Sequence, residues 1–296
     1  MTLLKRFSLH RLLGKKLLKE QSLPYPQLIR GICIVWLALW IVGGLGIDGN
    51  ALHPTYTLTP PFAPLWHQEP SLPLMAWLGT DDLGRSLWGR LGTGTLLSVG
   101  LGVGSVAMGW GIGVPFGLAW GAGYTTWWGK LIQGILQVWD TVPSLLWLLL
   151  ASMLWSQLQS MPWLQALVMG SMIGLLHASD IARLMAQSVR EAQSTTAYEA
   201  FESLGGTPWR FAWRYSLPHG IPRLKPYSRV LLMRSILAES TLSFVGLGLQ
   251  PPISTLGVLA NDAWQLSLLT IMPFLLVTSV LVAVMSLLQT EHEVSA

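Results

Sequence analysis

The chain has 296 residues, of which 51% are hydrophobic and only 11% are charged, whereas soluble domains carry about 25% charged residues. So few charges, with a mean hydropathy of +0.49, exclude an ordinary soluble domain and indicate a surface that faces lipid, where each charge costs about 2.5–3.5 kcal/mol. The net charge is +4, and the single cysteine, Cys33, excludes an internal disulfide or a cysteine-built metal site. Because a spanning helix needs about 20 apolar residues, we predict an all-α membrane protein with about six transmembrane helices.

The chain begins with a basic segment, residues 1–28, in which leucines recur at an amphipathic helical spacing. An apolar run at 29–47 follows and predicts the first transmembrane helix. The run is long for a signal peptide and no small-residue cleavage site follows it. We therefore predict an uncleaved signal anchor behind a cytoplasmic N-terminus.

Residues 48–90 contain many prolines and little periodicity, which predicts a periplasmic loop. Its end, 79–90, is expected to form a short amphipathic helix. Thr80 would cap this helix, and Asp81 and Asp82 would lie in the first turn, where negative charge suits the helix dipole.

The remaining membrane core, residues 91–289, is expected to hold five more spans, and a cytoplasmic tail, 290–296, follows it. The second span carries a glycine at every fourth position, which gives a flat face where another helix can approach closely. A gating or subunit interface and ordinary helix packing both explain such a face. The glycines are Gly109, Gly113, Gly117 and Gly121, and the predicted spans are 95–120, 133–155, 162–182, 222–248 and 269–289.

Lysine and arginine cluster on alternate segments between the spans, with few on the intervening segments, where Arg85 and Arg90 lie. By the positive-inside rule this bias places both termini in the cytoplasm. It also explains the basic charge as a topology signal rather than as a nucleic-acid surface, so we expect no nucleic-acid partner.

A polar segment between the fourth and fifth spans, residues 194–219, predicts two short helices that meet at a glycine turn on the cytoplasmic face. A residue among 194–196 caps the first helix, and Gly205 suits a left-handed helix end. Thr207 and Pro208 suit the start of the second helix, and Pro218 is expected to end it.

This hairpin carries more aromatic side chains than its own small core needs. A partner-binding surface explains them; packing beneath the membrane domain, or a position at the lipid headgroups, explains them equally well. A DNA-reading helix-turn-helix is disfavoured by the tether between two spans. The aromatic residues are Tyr198, Phe201, Trp209, Phe211 and Trp213.

Five stretches of the chain together resemble the dipeptide/oligopeptide/nickel permeases of ABC importers, and in particular their C-type subunit. Glu199-Ala200, Gly205 and Leu217-Pro218 resemble the EAA motif of these permeases. The other stretches are W-L-G-T-D-D-L-G-R at 77–85, D-x-x-P-S-L-L at 140–146 with I-A-R-L at 181–184, and I-L-A-E-S-T-L-S-F-V-G-L-G-L-Q-P-P at 236–252.

The resemblance implies a type I importer transmembrane domain, in the bacterial inner membrane, whose cytoplasmic coupling helix docks in a groove of an ATPase. The ATPase-coupling residues would be Glu199, Ala200, Phe201, Glu202, Gly205, Leu217 and Pro218. The implied partners are a second permease subunit, two ATPase subunits or domains, a periplasmic solute-binding protein and membrane lipid. The cargo would be di- or oligopeptides, with nickel or other metal chelates and antimicrobial peptides as alternatives.

The chain is not expected to be an enzyme, because neither Gly-Lys pair has the spacing of a phosphate-binding loop. No cofactor is therefore expected in this chain, and ATP with Mg²⁺ would bind the partner subunits. No histidine pair has metal-ligand spacing on one helix, so no metal site is expected.

Charged residues inside the spans are costly and therefore candidates for function. Asp140 is expected near the start of the third span, and Glu239 lies deep in the fifth, where Arg234 is a possible partner. These residues would either link helices or line the translocation path. A stand-alone secondary transporter, a membrane enzyme and a permease-derived scaffold are the other functional classes, and no internal repeat supports the first.

Overall fold

A computed structural model describes residues 25–45, 79–81, 83–155, 161–250, 252–265 and 271–288. Over these ranges the chain is helical, and the one β interaction is an isolated bridge between Thr80 and Ser86. The prediction of an all-α fold is confirmed. In chain order the helices are α1 (Tyr25–Leu45), α2 (Leu87–Ala122), α3 (Trp127–Thr141), α4 (Ser144–Trp155), α5 (Pro162–Gln193), α6 (Thr196–Ser203), α7 (Pro208–Phe211), α8 (Leu217–Phe244), α9 (Leu256–Gln265) and α10 (Ile271–Leu288).

By length and composition, α2 and α5 can each cross a membrane, and α3 with α4 would form a third crossing if the bent pair is one span. Shorter apolar helices occur within α1 and α10, at Ile29–Val42 and Val277–Leu287. Together with α8, which does not meet the same criterion of length and composition, these elements are roughly consistent with the predicted count of about six.

The glycine face of α2 packs along α5. A Cβ atom on Gly113 would lie 2.6 Å from the carbonyl oxygen of Ala178, and one on Gly117 would lie 2.5 Å from that of Ala182. No real side chain fits at such distances, so the glycines allow the two backbones to touch. Ordinary helix packing, rather than a gate or a subunit interface, explains these glycines.

The predicted third span, 133–155, is wrong as a single helix. The chain breaks between α3 and α4, which meet at an angle of 80°. Pro143 disfavours the helical conformation of the residue before it, and Val142 is extended, with φ −85° and ψ 123°. Asp140 consequently lies at the end of α3 and not near the start of a span.

The predicted helix over 79–90 is also wrong. Gly79 and Gly84 have φ values of 93° and 74°, which interrupt a helix. The carboxylate of Asp81 accepts hydrogen bonds from the backbone N–H groups of Leu83 (3.0 Å) and Arg85 (2.8 Å) and so closes a turn. Helix α2 begins only after this turn, at Leu87.

Other predicted boundaries shift by smaller amounts. Helix α1 starts at 25 rather than 29, because proline is tolerated in a first helical turn. Helix α5 continues to 193, beyond the predicted 182. The stretch between the predicted spans 222–248 and 269–289 contains helix α9. The basic segment before residue 25, most of the 48–90 loop and the 290–296 tail lie outside the described residues.

Candidate functional site

The hairpin at 196–211 forms as predicted, through a well-defined helix end. The N–H of Gly205 donates to the carbonyl of Glu202 (2.9 Å), and that of Gly206 donates to the carbonyl of Phe201 (3.0 Å). Gly205 has a φ of +80°. This pair of hydrogen bonds with a left-handed glycine is the Schellman motif.

The second arm of the hairpin starts with a side-chain cap. The hydroxyl of Thr207 accepts a hydrogen bond from the backbone N–H of Arg210 (3.3 Å), and Pro208 occupies the first turn of α7. Proline loses nothing there, since that N–H has no partner within a helix. The turn between the arms is therefore determined by adjacent residues.

Phe211 anchors the hairpin to the rest of the chain. Its side chain is only 2% exposed, and its ring lies 4.9 Å from that of Tyr198, 5.3 Å from that of Phe201 and 5.0 Å from that of Tyr215. Of the explanations offered for the hairpin aromatics, a partner-binding surface is therefore wrong for Phe211. Packing within this aromatic cluster accounts for the presence of Phe211 in the hairpin and, in part, for that of Tyr198 and Phe201.

A second set of hairpin side chains remains open to a partner. Leu204 is 87% exposed, Trp209 48% and Trp213 44%, and Glu199 and Ala200 are also exposed. A leucine this exposed at the tip of a turn costs free energy unless another surface covers it. The hairpin thus has a buried side that holds it in place and an apolar, partly acidic tip.

The hairpin continues into α8 without a break, contrary to the prediction that Pro218 ends its second helix. A π-helical turn, Ala212–Ser216, joins α7 to α8, and Pro218 lies in the first turn of α8. Leu217 packs with the buried Ala212 against side chains of α2 and α5. The second arm of the hairpin and α8 therefore form one continuous helical segment.

Glu239 lies at the other end of α8 and is fully buried. Its carboxylate accepts hydrogen bonds from the hydroxyls of Ser98 (3.0 Å), Ser243 (2.9 Å) and Thr255 (2.5 Å). Each of these hydroxyls also accepts a hydrogen bond from a backbone N–H in the segment after α8. Glu239 thus fastens that segment to α2 and α8.

The suggested pairing of Arg234 with Glu239 is wrong, because both residues have other partners. Arg234 lies 3.3 Å from Asp180 of α5. Asp140 forms an ion pair with Arg183 and accepts a hydrogen bond from Ser179 (2.9 Å). The structure thus places Asp140 and Arg234 in contacts between helices.

Sequence reasoning missed a second buried network, which is centred on Arg90. Arg90 is 1% exposed and lies 2.8 Å from Asp81 and 2.7 Å from Asp262. Its Nε donates to the hydroxyl of Ser254 (3.2 Å). One feature of the sequence could have revealed this network, namely an arginine in the first turn of a long apolar helix. A charge buried at such a position requires a partner.

Two ionisable groups near the hairpin have pKa values that differ from the ordinary values of their residue types. Hydrogen bonds from Arg223 and from Gln187 lower the pKa of Glu191, and burial, with the charge of Glu202, raises the pKa of Tyr198. Glu191 links the end of α5 to the start of α8 through Arg223. In the described ranges no cluster of three or more His, Cys, Asp or Glu side chains could hold a metal ion.

Comparison with known proteins gives matches to a sequence family, to individual relatives and to a solved structure. Residues 113–291 match the sequence profile of a family described as the binding-protein-dependent transport system inner membrane component. A relative named glutathione transport system permease protein GsiD, from Pectobacterium atrosepticum, is 30% identical over 187 residues, 63% of this chain and 60% of that protein. Its namesake from Escherichia coli O157:H7 is 28% identical over 190 residues, 64% and 60% of the two chains.

The matched region therefore spans about three fifths of the length of these relatives. Among solved structures, the fold resembles a chain of the MetNI methionine ABC transporter in an inward-facing conformation. The TM-score is 0.52 at 19% identity, and the match covers 66% of this chain and 89% of the other.

Proposed function

Because the chain belongs to the family of binding-protein-dependent transport system inner membrane components, we propose that it is the permease subunit of an ATP-driven importer. Its cargo is a di- or oligopeptide, which a periplasmic binding protein delivers. The peptide class is supported by relatives that are named glutathione permeases, since glutathione is a tripeptide. In this proposal the complex also contains a second permease subunit and two ATPase subunits, which bind ATP and Mg²⁺.

The hairpin is the observation that carries this proposal. An apolar tip with Leu204 87% exposed is a surface that a partner would bury. Its acidic side chains, Glu199 and Glu202, suit the charged rim of a protein interface. Both permease termini and the hairpin lie on the cytoplasmic side in this assignment, where the ATPase subunits bind.

The predicted coupling residues have distinct parts in this proposal. Glu199 and Ala200 contact the ATPase directly, while Phe201 supports the tip through Phe211. Gly205 sets the turn. The remaining residues, Glu202, Leu217 and Pro218, extend the contact surface or connect it to α8.

The continuity of the hairpin with α8 gives a physical route for coupling. Closure of the two ATPase subunits on ATP would move the docked hairpin, and the π-helical junction would carry that movement into α8 as a rigid body. Such a movement between two packed arrangements switches the cargo path from inward-facing to outward-facing.

The test is purification of the tagged chain, expressed with its neighbouring genes, followed by an ATPase assay on the recovered complex. We expect a second permease and an ATPase to copurify with the wild type. Leu204→Asp should abolish ATPase recovery, because a charge replaces an apolar contact, and should leave expression unchanged.

The matched control is Trp127→Asp. Trp127 is 77% exposed and is the first residue of α3, so it lies outside the hairpin. It follows the end of α2, which packs near the hairpin. This variant should retain the ATPase. Equal recovery of the ATPase with wild type and Leu204→Asp would contradict docking through the hairpin. Recovery of the chain without any ATPase would favour a stand-alone transporter or a scaffold.

Cargo is tested separately with proteoliposomes that contain the purified complex and its binding protein. Uptake of a labelled tripeptide that depends on ATP, and that unlabelled peptides but not free amino acids inhibit, is the expected result. ATP-dependent uptake of metal chelates without peptide uptake would overturn the peptide assignment and leave the importer assignment intact.

A further inference from the structure

A groove of about 550 Å³ runs between α2 and α8. Val103 and Val106 of α2 and Leu232 of α8 form an apolar wall. Val103 is 52% exposed, so this wall is open to the surroundings. An open apolar wall on a membrane helix suits contact with an acyl chain.

Two cations, Lys225 and Arg229, lie at one end of the same groove, one helical turn apart on α8. Both are exposed. Arg183, Arg223 and Arg234 each form an ion pair, whereas Lys225 and Arg229 have none within the part of the chain that the structure describes. These two charges are available to a bound anion.

Trp110 also lines the groove beside the two cations, because it contacts Ser228, which lies between Lys225 and Arg229 on α8. Its indole N–H donates to the hydroxyl of Ser228 (2.8 Å), which fixes the ring against α8. Tryptophan is enriched at the level of lipid headgroups. The lining of the groove therefore changes from basic to apolar, as the environment does between headgroups and acyl chains.

We propose that this groove binds an acidic phospholipid, with its phosphate on Lys225 and Arg229 and an acyl chain along the apolar wall. The lipid belongs to the leaflet on the hairpin side, because Lys225 lies near the hairpin end of α8. One phospholipid supplies both the anion and the apolar chain. A protein partner would have to place an acidic side chain against two cations within an otherwise apolar contact.

The first experiment measures binding of phosphatidylglycerol to the full chain in detergent by native mass spectrometry. Lys225→Gln and Arg229→Gln should each weaken binding about fivefold, and the double variant about 30-fold, given the usual effect of one basic residue near an anionic headgroup. Lys225→Arg should bind like the wild type. Val103→Trp, which fills the apolar part, should eliminate the bound-lipid peak although both cations remain.

The control is Lys130→Gln, which removes an exposed lysine of α3 outside the groove and should leave the affinity unchanged. Phosphatidylcholine with the same acyl chains should bind the wild type weakly. Unchanged affinity of the double variant for phosphatidylglycerol would overturn the proposal, as would equal affinity of the wild type for both lipids.

A second experiment identifies the occupant in the membrane. A photoreactive benzoylphenylalanine replaces the exposed Ala107, which lines the groove, and membranes from cells that express the whole transport operon are irradiated. A lipid adduct on the α2 peptide supports the proposal. An adduct with a second polypeptide would overturn it and assign the groove to a protein partner.

Discussion

The two ends of α8 are stabilised by different kinds of contact. At the hairpin end, the caps, the Schellman turn and the ring contacts of Phe211 join residues that are close in the sequence. At the other end, Glu239 and Arg90 bind residues from distant parts of the chain, such as Ser98 and Asp262. The apolar tip of the hairpin is exposed, whereas the charged side chains of Glu239 and Arg90 at the other end are buried.

This difference separates docking from stability. Substitutions on the exposed tip of the hairpin should change partner binding and leave the unfolding free energy nearly unchanged. Substitutions in the buried networks should lower the unfolding free energy, because they leave polar groups without partners in a nonpolar environment. Four predictions test this separation.

The largest effect is expected for Arg90→Met. This change leaves the buried Asp81 and the partly buried Asp262 without Arg90. Loss of one partner of a buried ion pair costs about 3–5 kcal/mol, and we expect about 3 kcal/mol because Arg85 still pairs with Asp81. The measurement is the free energy of unfolding in mixed micelles titrated with a denaturing detergent.

Arg223→Met is the control for Arg90→Met. Its ion pair with Glu191 is exposed on both sides, and exposed pairs stabilise proteins little. Similar losses of unfolding free energy in both variants would contradict the distinction between the two ends of α8.

Glu239→Ala should have the next largest effect. It removes the shared acceptor of four buried hydroxyl groups, those of Ser98, Ser240, Ser243 and Thr255. Each lost hydrogen bond costs about 1 kcal/mol, but hydroxyls on helices can turn to a backbone carbonyl, so we expect about 2 kcal/mol in total.

Glu239→Gln is the matched variant, because its amide oxygen still accepts hydrogen bonds in nearly the same volume. It should retain most of the stability that Glu239→Ala loses in the same detergent titration. If both variants lost the same free energy, the carboxylate would have a role that hydrogen-bond acceptance does not explain.

Gly205→Ala should lower stability by about 1 kcal/mol, which is the cost of a Cβ atom in a left-handed conformation. Nothing lies within 4 Å of that Cβ, so the cost is conformational and not steric. ATPase activity of the purified complex should fall much more than stability does, since the turn positions the docking tip.

Gly205→Asn tests the conformational reason, because asparagine tolerates the left-handed region. It should restore ATPase activity relative to Gly205→Ala. If Gly205→Ala showed full ATPase activity and normal expression, the shape of the turn would not matter for coupling.

The sequence predicted the hairpin well because local chemistry determines it. Thr207 and Pro208 mark the start of a helix, and Gly205 marks the end of another, within a few residues of the hydrogen bonds they form. The same local reasoning was wrong at Pro218, since a π-helical turn connects α7 to α8 ahead of that proline. A change of helical register is not visible in the side-chain pattern.

The buried networks were predicted only in part. The cost of burying a carboxylate identified Glu239 as important, but its acceptor role depends on Ser98, which is 141 positions away. Sequence proximity suggested Arg234, whereas that arginine reaches Asp180 across the packing of α5 with α8. Partners of this kind follow from helix packing, which a single sequence does not specify.

The smallest effect is the pH dependence of the link beside the hairpin. Hydrogen bonds from Arg223 and Gln187 lower the pKa of Glu191 in the folded chain from its ordinary value of 4.5. A group with a lowered pKa stabilises the fold fully above its unfolded pKa, and that stabilisation is lost as the pH falls through the folded pKa. We therefore expect the link to be intact at neutral pH and weakened below pH 4.5.

Hydrogen exchange of the first turns of α8, measured between pH 7 and pH 3.5 and corrected for the intrinsic exchange rate, reports this loss. Protection there should fall with acid in the wild type and should be independent of pH in Glu191→Gln, which lacks the titrating group. The segment around Ser254 and Thr255 should not follow the same titration, because Glu191 does not touch it. A common acid transition at both ends would mean that α8 transmits the loss of one exposed ion pair along its whole length, and the two ends would then form one cooperative unit.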